Sequence, residues 1–308
     1  MKKNNLIEIY NREYVNKYNE KYLTNPFSKI SLNFELDILK SLINTDSKWL
    51  DVGCGTGYYL SQFPGLERAG LDISPEMIKE AREVNPDALY IREGDFRNDI
   101  PEWHNTWSLI SCMWYPYSYL DTMEELERTV HNLVKWLSIG GDLFLPVADL
   151  EDFRPELPPV EYEVFEGVYG GPLYISGYIW SWLEADGNKQ HLNMLAPHVE
   201  HFIRLLQPYF ETIEIVRYPP AQDGWVSRRA IIARTKIRNE KVDSVNAKIK
   251  RYPIPENANS PNQFKKEQST FNKVLIAASH KQLIGEILKR IIDGRSLKAL
   301  FKKLTGRH

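Results

Sequence analysis

From residue 48 to residue 147 the chain alternates short apolar runs with longer stretches whose apolar positions recur every three to four residues. The runs at 48–52, 68–71, 88–92, 108–113 and 142–147 have the length and character of buried strands. Ser74-Pro75-Glu76 opens a helix reaching about residue 84, with Ser74 as cap and proline in the first turn. Asp121 is read as the cap of a second helix that ends near residue 137, ahead of Gly140-Gly141. Strands and helices alternating at this spacing predict a parallel sheet with helices on both faces. A helix at 197–206 leads to two more strands, 212–217 and 229–235, expected to pair as an antiparallel hairpin at the sheet edge. The predicted fold class is α/β: a Rossmann-like, seven-stranded, mostly parallel sheet.

The flanking segments follow other rhythms. Residues 5–22 predict one helix with Tyr10, Tyr14, Tyr18 and Tyr22 on a single face, and residues 30–43 a second. Residues 149–195 are rich in Pro, Gly and aromatics and read as a β insertion standing over one end of the sheet. It would comprise an apolar run at 174–183, a turn at Asp186-Gly187 and a return strand at 190–195. Residues 236–270 read as a polar linker. Residues 271–308 regain helical spacing, with Leu283, Ile284, Ile287, Leu288, Ile291 and Ile292 in an apolar stripe surrounded by Lys and Arg. The expected organisation is a main domain at 1–235, a linker at 236–270 and a basic amphipathic helical tail at 271–308.

Charge sharpens this division. The net charge of -2 combines 17 Lys+Arg and 6 Asp+Glu after residue 235 with 22 and 35 before it. An acidic body argues against nucleic acid as substrate. The basic tail suits an anionic membrane surface, a partner protein, or docking on the acidic body itself. Cys54 and Cys112 offer neither a disulfide framework nor zinc-ligand spacing, so no metal is expected. The charged N-terminus lacks an apolar segment. These features lead to the expectation of a cytoplasmic protein, peripheral at a membrane if the tail engages one.

The chemistry concentrates at successive strand ends. Asp51-Val52-Gly53-Cys54-Gly55-Thr56-Gly57 places a glycine turn after the first strand, where backbone can approach a ligand closely. Its GxGxG spacing is shorter than the GxGxxG of dinucleotide sites. Asp72, past the second strand, can accept both hydroxyls of a ribose. Gly94-Asp95-Phe96, past the third, can meet an adenine through a carboxylate, a ring and backbone.

Together LDVGCGTG, GLDIS and GDF resemble the first three signature regions of class I S-adenosylmethionine (SAM)-dependent methyltransferases, over about residues 10–235. The resemblance implies SAM as cofactor and S-adenosylhomocysteine as product. It implies a cofactor site of Tyr22, Asp51, Gly53, Gly55, Gly57, Asp72, Ile73, Asp95, Phe96 and Met113, with Asp51 facing the SAM ammonium. Trp114-Tyr115-Pro116-Tyr117 after the fourth strand lacks the Asn/Asp-Pro-Pro-aromatic motif of DNA amino-methyltransferases.

Tyr18 and Tyr22, the Met113-Trp114 pair and the β insertion are similar to features of amino-sugar N,N-dimethyltransferases. That similarity implies a small-molecule or glycan acceptor, Tyr18 and Tyr119 as catalytic residues, and Trp114, Tyr117, Tyr178, Trp180 and His191 as its binding surface. Some members of that group have a histidine where this chain has Tyr119, which leaves both N- and O-methylation open. Tyr174, Tyr178, Trp180 and Trp182 suit sugar stacking and equally suit packing of the insertion on the sheet. An RNA methyltransferase using the basic tail and a non-catalytic SAM-binding scaffold are the alternative functions.

Overall fold

The computed structural model describes residues 3–26, 28–148, 177–183, 190–220, 227–238 and 247–255. Strand β1 (Lys48–Val52) is buried on both faces. Trp49 joins one core, while Leu50 and Val52 join the other. Strands β4 (Trp107–Ser111) and β5 (Leu137–Val147) likewise feed both cores and read as apolar runs, whereas β2 (Glu67–Asp72) gives Ala69 and Leu71 to the core of Leu50 and β3 (Tyr90–Glu93) gives Ile91 to that of Trp49.

Helices α1 (Lys3–Ile9) and α2 (Arg12–Tyr18) precede β1, as does α3 (Ser28–Leu42). A short α4 (Tyr58–Ser61) follows β1, α5 (Pro75–Val84) follows β2, and α6 (Met123–Trp136) connects β4 to β5. The second core takes Leu32, Ile38 and Leu39 of α3 with Ile78 and Ala81 of α5. The first takes Leu126, Val130, Leu133 and Val134 of α6 with Phe202 and Leu206 of α7 (Val199–Leu206). Helices thus cover both faces.

The sheet has eight strands, in the order β10-β8-β9-β5-β4-β1-β2-β3, where β8 is Phe210–Arg217, β9 is Arg229–Lys236 and β10 is Lys248–Arg251. Only β9 runs antiparallel to its neighbours. The chain leaves β1 for β2 on one side and reaches β4 on the other, so the cleft between their carboxyl ends is the topological switch point.

Four expectations are corrected. The strand count is eight, because 248–251, read as linker, pairs parallel with β8 through Lys248↔Thr212 to Arg251↔Ile215. The β8–β9 hairpin is consequently interior, between β5 and β10. Residues 5–22 do not form one helix: Asn11, in extended backbone, caps α2 by accepting the Tyr14 N–H, and a π turn (Asn19–Leu23) follows. Thr122 rather than Asp121 caps α6, because its hydroxyl accepts the Glu125 N–H while the Glu125 carboxylate takes the Asp121 N–H.

The insertion contributes a separate two-stranded sheet, β6 (Gly177–Leu183) and β7 (Gln190–Pro197), joined antiparallel. Residues 149–176, the Asp186-Gly187 turn and the 271–308 tail lie outside the described residues.

Candidate active site

At the carboxyl end of β1, Gly53 adopts φ +70° and Gly57 the same. A Cβ on Gly53 would come within 2.4 Å of Pro116 Cγ, and one on Gly57 within 2.9 Å of Ala81 Cβ. The loop is therefore threaded between the segment after β4 and helix α5, in a conformation L side chains rarely take. Asp72 organises the same bend. One carboxylate oxygen accepts the Gly55 N–H (2.9 Å) and the other the Ser74 N–H (2.9 Å). Burial raises its pKa from the usual carboxylate range, opposed by these backbone donors.

The N-terminal segment closes over this loop. Thr56 Oγ1 donates to Asn19 Oδ1 (2.6 Å), Ser74 Oγ donates to the Tyr10 carbonyl (3.2 Å), and Arg12 pairs with Glu80 of α5 (3.2 Å). A cleft enclosing about 1010 Å³, including its open mouth, lies beneath. Its wall holds Tyr10, Tyr18, Asp51, the 53–56 bend, Asp72, Ile73, Asp95, Phe96, Met113, Trp114 and Tyr119.

Asp51 supplies the decisive electrostatic feature. Its Oδ1 accepts from Ser111 Oγ (2.6 Å), which itself accepts from the Trp49 indole N–H (2.8 Å). Its Oδ2 is buried and has no hydrogen-bond partner among the described residues. Burial pushes the carboxyl up to about 7, helped by Asp72 and Glu35 and opposed by Ser111. An orphaned buried carboxylate oxygen on a cleft wall is the counterpart of a ligand cation. The chemistry of this wall fits SAM: a buried carboxylate, a glycine bend, two further carboxylates and an aromatic ring line one cleft. Asp95 is held rigid, because Arg97 grips both of its oxygens at 2.6–3.0 Å and also reaches Glu125. Asn132 fixes the same loop through the Phe96 and Arg97 carbonyls.

Five of the expected site residues are not on the cleft wall: Tyr22, Gly57, Tyr117, Trp180 and His191, the last of which contacts Tyr119. Tyr22 is not on the cleft wall; its hydroxyl accepts from Tyr14 (2.9 Å) and its ring lies 5.2 Å from that of Tyr18. The π turn that carries it rotates the last tyrosine of the stripe away. Tyr117 is buried under the loop: it donates to the Pro146 carbonyl (2.8 Å), accepts the Ala148 N–H (2.9 Å) and packs edge-on against Phe202. It is a structural clamp, since φ near +60° at both Trp114 and Tyr115 reverses the chain and turns Tyr117 inward. Trp180 is half-buried on β6 and does not line the cleft; the side chain of Tyr178 is outside the described residues.

Tyr119 and Tyr18 do face the cleft, and burial raises the Tyr18 pKa far above the usual phenol range. Tyr119 makes the most informative contacts: its hydroxyl lies 2.9 Å from that of Tyr10 and 2.8 Å from His191 Nδ1. His191 reaches it because β7 carries one extra residue. Trp180 pairs with Met194 and Trp182 with His191, so one residue of β6 faces two of β7. Asn193 takes φ +53° and donates its N–H to Ser181 Oγ. The bulge puts His191 and Met194 on the same buried face, while Leu192 between them is exposed.

Residue-by-residue reading missed a second cluster. Glu35 of α3 is buried, with its carboxyl held near 7 by burial. Its oxygens accept from the Tyr59 and Tyr218 hydroxyls, and Tyr59 accepts the Trp114 indole N–H (2.7 Å). Arg228 lies over the Trp114 ring at 5.2 Å. Tyr59 and Trp114 reach the cleft, and Glu35 holds them from behind.

A methyltransferase-domain family matches residues 50–141, the span from β1 to the glycine pair in β5. This segment is similar to a methyltransferase domain. Within Streptomyces venezuelae, a dTDP-3-amino-3,4,6-trideoxy-α-D-glucopyranose N,N-dimethyltransferase is 35% identical over 107 residues, 34% of this chain and 44% of that protein. An mRNA cap guanine-N(7) methyltransferase of Eremothecium gossypii is 27% identical over 190 residues, 54% of this chain and 44% of its own. The chain thus spans under half the length of these curated relatives. A glycopeptide N-methyltransferase solved with S-adenosylhomocysteine shares the fold, with a TM-score of 0.50 at 14% identity over 70% of this chain and 91% of that one. Among the described residues, no group of His, Cys, Asp or Glu is placed to hold a metal, and no helix is long and apolar enough to cross a membrane.

Proposed function

We propose that the chain binds SAM and transfers its methyl group to an amine or hydroxyl of a small molecule, with an amino sugar or other glycan the favoured acceptor class. The orphaned, buried Oδ2 of Asp51 carries the reading, because it calls for a cation at the point where the glycine bend and Met113 meet. The likeness to an amino-sugar N,N-dimethyltransferase supports the acceptor class.

When bound, SAM supplies an activated methyl on a sulfonium that leaves as a neutral thioether. The chain's task is then to orient and to remove a proton. Asp51 anchors the ammonium end, and Asp72 and the Asp95–Arg97 pair anchor the nucleoside end. Alignment of nucleophile and methyl supplies much of the acceleration, which requires no metal or covalent intermediate. Tyr18 and Tyr10 stay protonated at neutral pH, because burial raises both. They act as hydrogen-bonding groups for the acceptor rather than as bases.

Calorimetry with S-adenosylhomocysteine, followed by mass detection of methylated product from a panel of nucleotide amino sugars and their hydroxyl analogues, tests the reading. Saturable cofactor binding with turnover of an amino sugar is expected. Binding without turnover of any acceptor would favour the scaffold alternative, and no binding would overturn the assignment.

A further inference from the structure

The cleft wall does not end at Tyr119. Behind its hydroxyl stands His191 Nδ1 at 2.8 Å, on a strand of a different sheet, buried and aimed by the β7 bulge. Ahead of it, on the cleft side, the Tyr10 hydroxyl lies 2.9 Å away. Three side chains from three separate elements form one line from the cleft to an imidazole.

We propose that His191, acting through Tyr119, is the positioning residue that takes up the proton shed by the acceptor, which confines the acceptor to groups that have one to shed: amines and hydroxyls, not carboxylates. The inference rests on the methyl-transfer reading above and deepens it. In the step, the acceptor nitrogen or oxygen forms its bond to the methyl carbon as the sulfur–carbon bond breaks with its electron pair to sulfur. The acceptor's proton passes to Tyr119 Oη while the Tyr119 proton passes to His191 Nδ1. The imidazolium so formed returns its proton through Tyr119 to the open cleft as product leaves. Neutral His191 therefore carries its resting proton on Nε2, with Tyr119 donating to Nδ1. Tyr119 alone could orient an acceptor; His191 gives the proton a destination.

The test separates proton uptake from simple support of the ring. In His191→Asn the amide oxygen can still accept from Tyr119 but cannot take a proton. We expect unchanged S-adenosylhomocysteine affinity and an unchanged KM for the acceptor, with kcat down about 100-fold, within the ~100- to 10,000-fold range of acid–base assistance. His191→Ala should fall as far in kcat, with a raised KM as Tyr119 loses its support. A readout without turnover is the nitrogen NMR spectrum of the wild-type protein. One imidazole should show Nδ1 as an unprotonated hydrogen-bond acceptor, and that signal should shift in Tyr119→Phe. Wild-type kcat in His191→Asn, an unaltered imidazole spectrum in Tyr119→Phe, or preferred turnover of a carboxylate acceptor would overturn the proposal. Failure of the wild-type protein to bind S-adenosylhomocysteine would overturn the methyl-transfer reading as well.

Discussion

Replacing Asp51 by Asn should make the ligand-free protein more stable while it ruins cofactor binding, and the two effects have one cause. The folded state holds this carboxyl up to about 7, against an ordinary value near 4. Because the folded value is raised, the native protein keeps the proton longer than the unfolded chain does. Stability falls as pH climbs from about 4 to about 7 and stays reduced above that. Roughly three pH units correspond to about 4 kcal/mol, an upper bound on what removal of the charge returns. The asparagine oxygen can still accept from Ser111, and re-forming that contact imperfectly would offset ~1 kcal/mol.

At pH 8 a net gain of about 1–3 kcal/mol is therefore expected. At ~2–4 °C per kcal/mol for a body of this size, Tm should rise by several degrees. At pH 4 the gain should nearly vanish, because the folded carboxyl is then protonated and the unfolded one about half so. Binding moves the other way. Breaking a buried charge pair by removing one partner costs ~2–5 kcal/mol, or about 30-fold and upward in Kd for S-adenosylhomocysteine. Calorimetry and thermal melts at both pH values measure the pair of effects. A variant less stable than wild type at pH 8, or one that binds within threefold of wild type, refutes the account of Asp51.

Three other substitutions probe the frame. Gly53→Ala drives a Cβ into the Pro116 ring at a positive φ, and should cost about 1–3 kcal/mol in urea unfolding and abolish cofactor binding. Tyr117→Phe removes one donor to Pro146 and one acceptor for Ala148, and should lower stability by ~1–3 kcal/mol at unchanged KM for the acceptor; a raised KM would restore its role in substrate contact. Asp72→Asn has one acceptor oxygen for two backbone N–H groups, and should weaken S-adenosylhomocysteine binding by ~10- to 150-fold in calorimetry at 25 °C.

Strands β1, β4 and β5 were legible because burial on both faces writes them as apolar runs. The glycine bend and the carboxylates after β1, β2 and β3 were legible because a parallel sheet places its ligand-facing residues at strand ends, a rule that depends on order alone. The tyrosine stripe followed from helical spacing until the π turn displaced Tyr22. β10 was hidden because Lys248–Arg251 is charged and exposed, as an edge strand should be, so hydropathy gave it no mark. Tyr117 and His191 were both expected on the acceptor-binding surface, and in each case backbone geometry decides the outcome. A left-handed pair at Trp114-Tyr115 and a single extra residue at Asn193 each decide which way a side chain points, and neither is encoded in local polarity. Glu35 looked like one more polar helical position; only the approach of Tyr59 and Tyr218 from distant segments makes it a buried hub.

The late strand also governs where the chain can be divided. Cutting after Thr235, the boundary that composition suggests, removes Lys248–Arg251 and its partner contacts, including the Lys250–Glu214 ion pair and the Tyr252 N–H donated to Ile215. The shortened protein would present the bare rim of β8, with Ile213 and Ile215 in it, to any extended peptide, and would be prone to self-association in proportion to its concentration. Dissection of the basic tail from the catalytic body is cleaner after Tyr252, beyond the last backbone hydrogen bond to that rim.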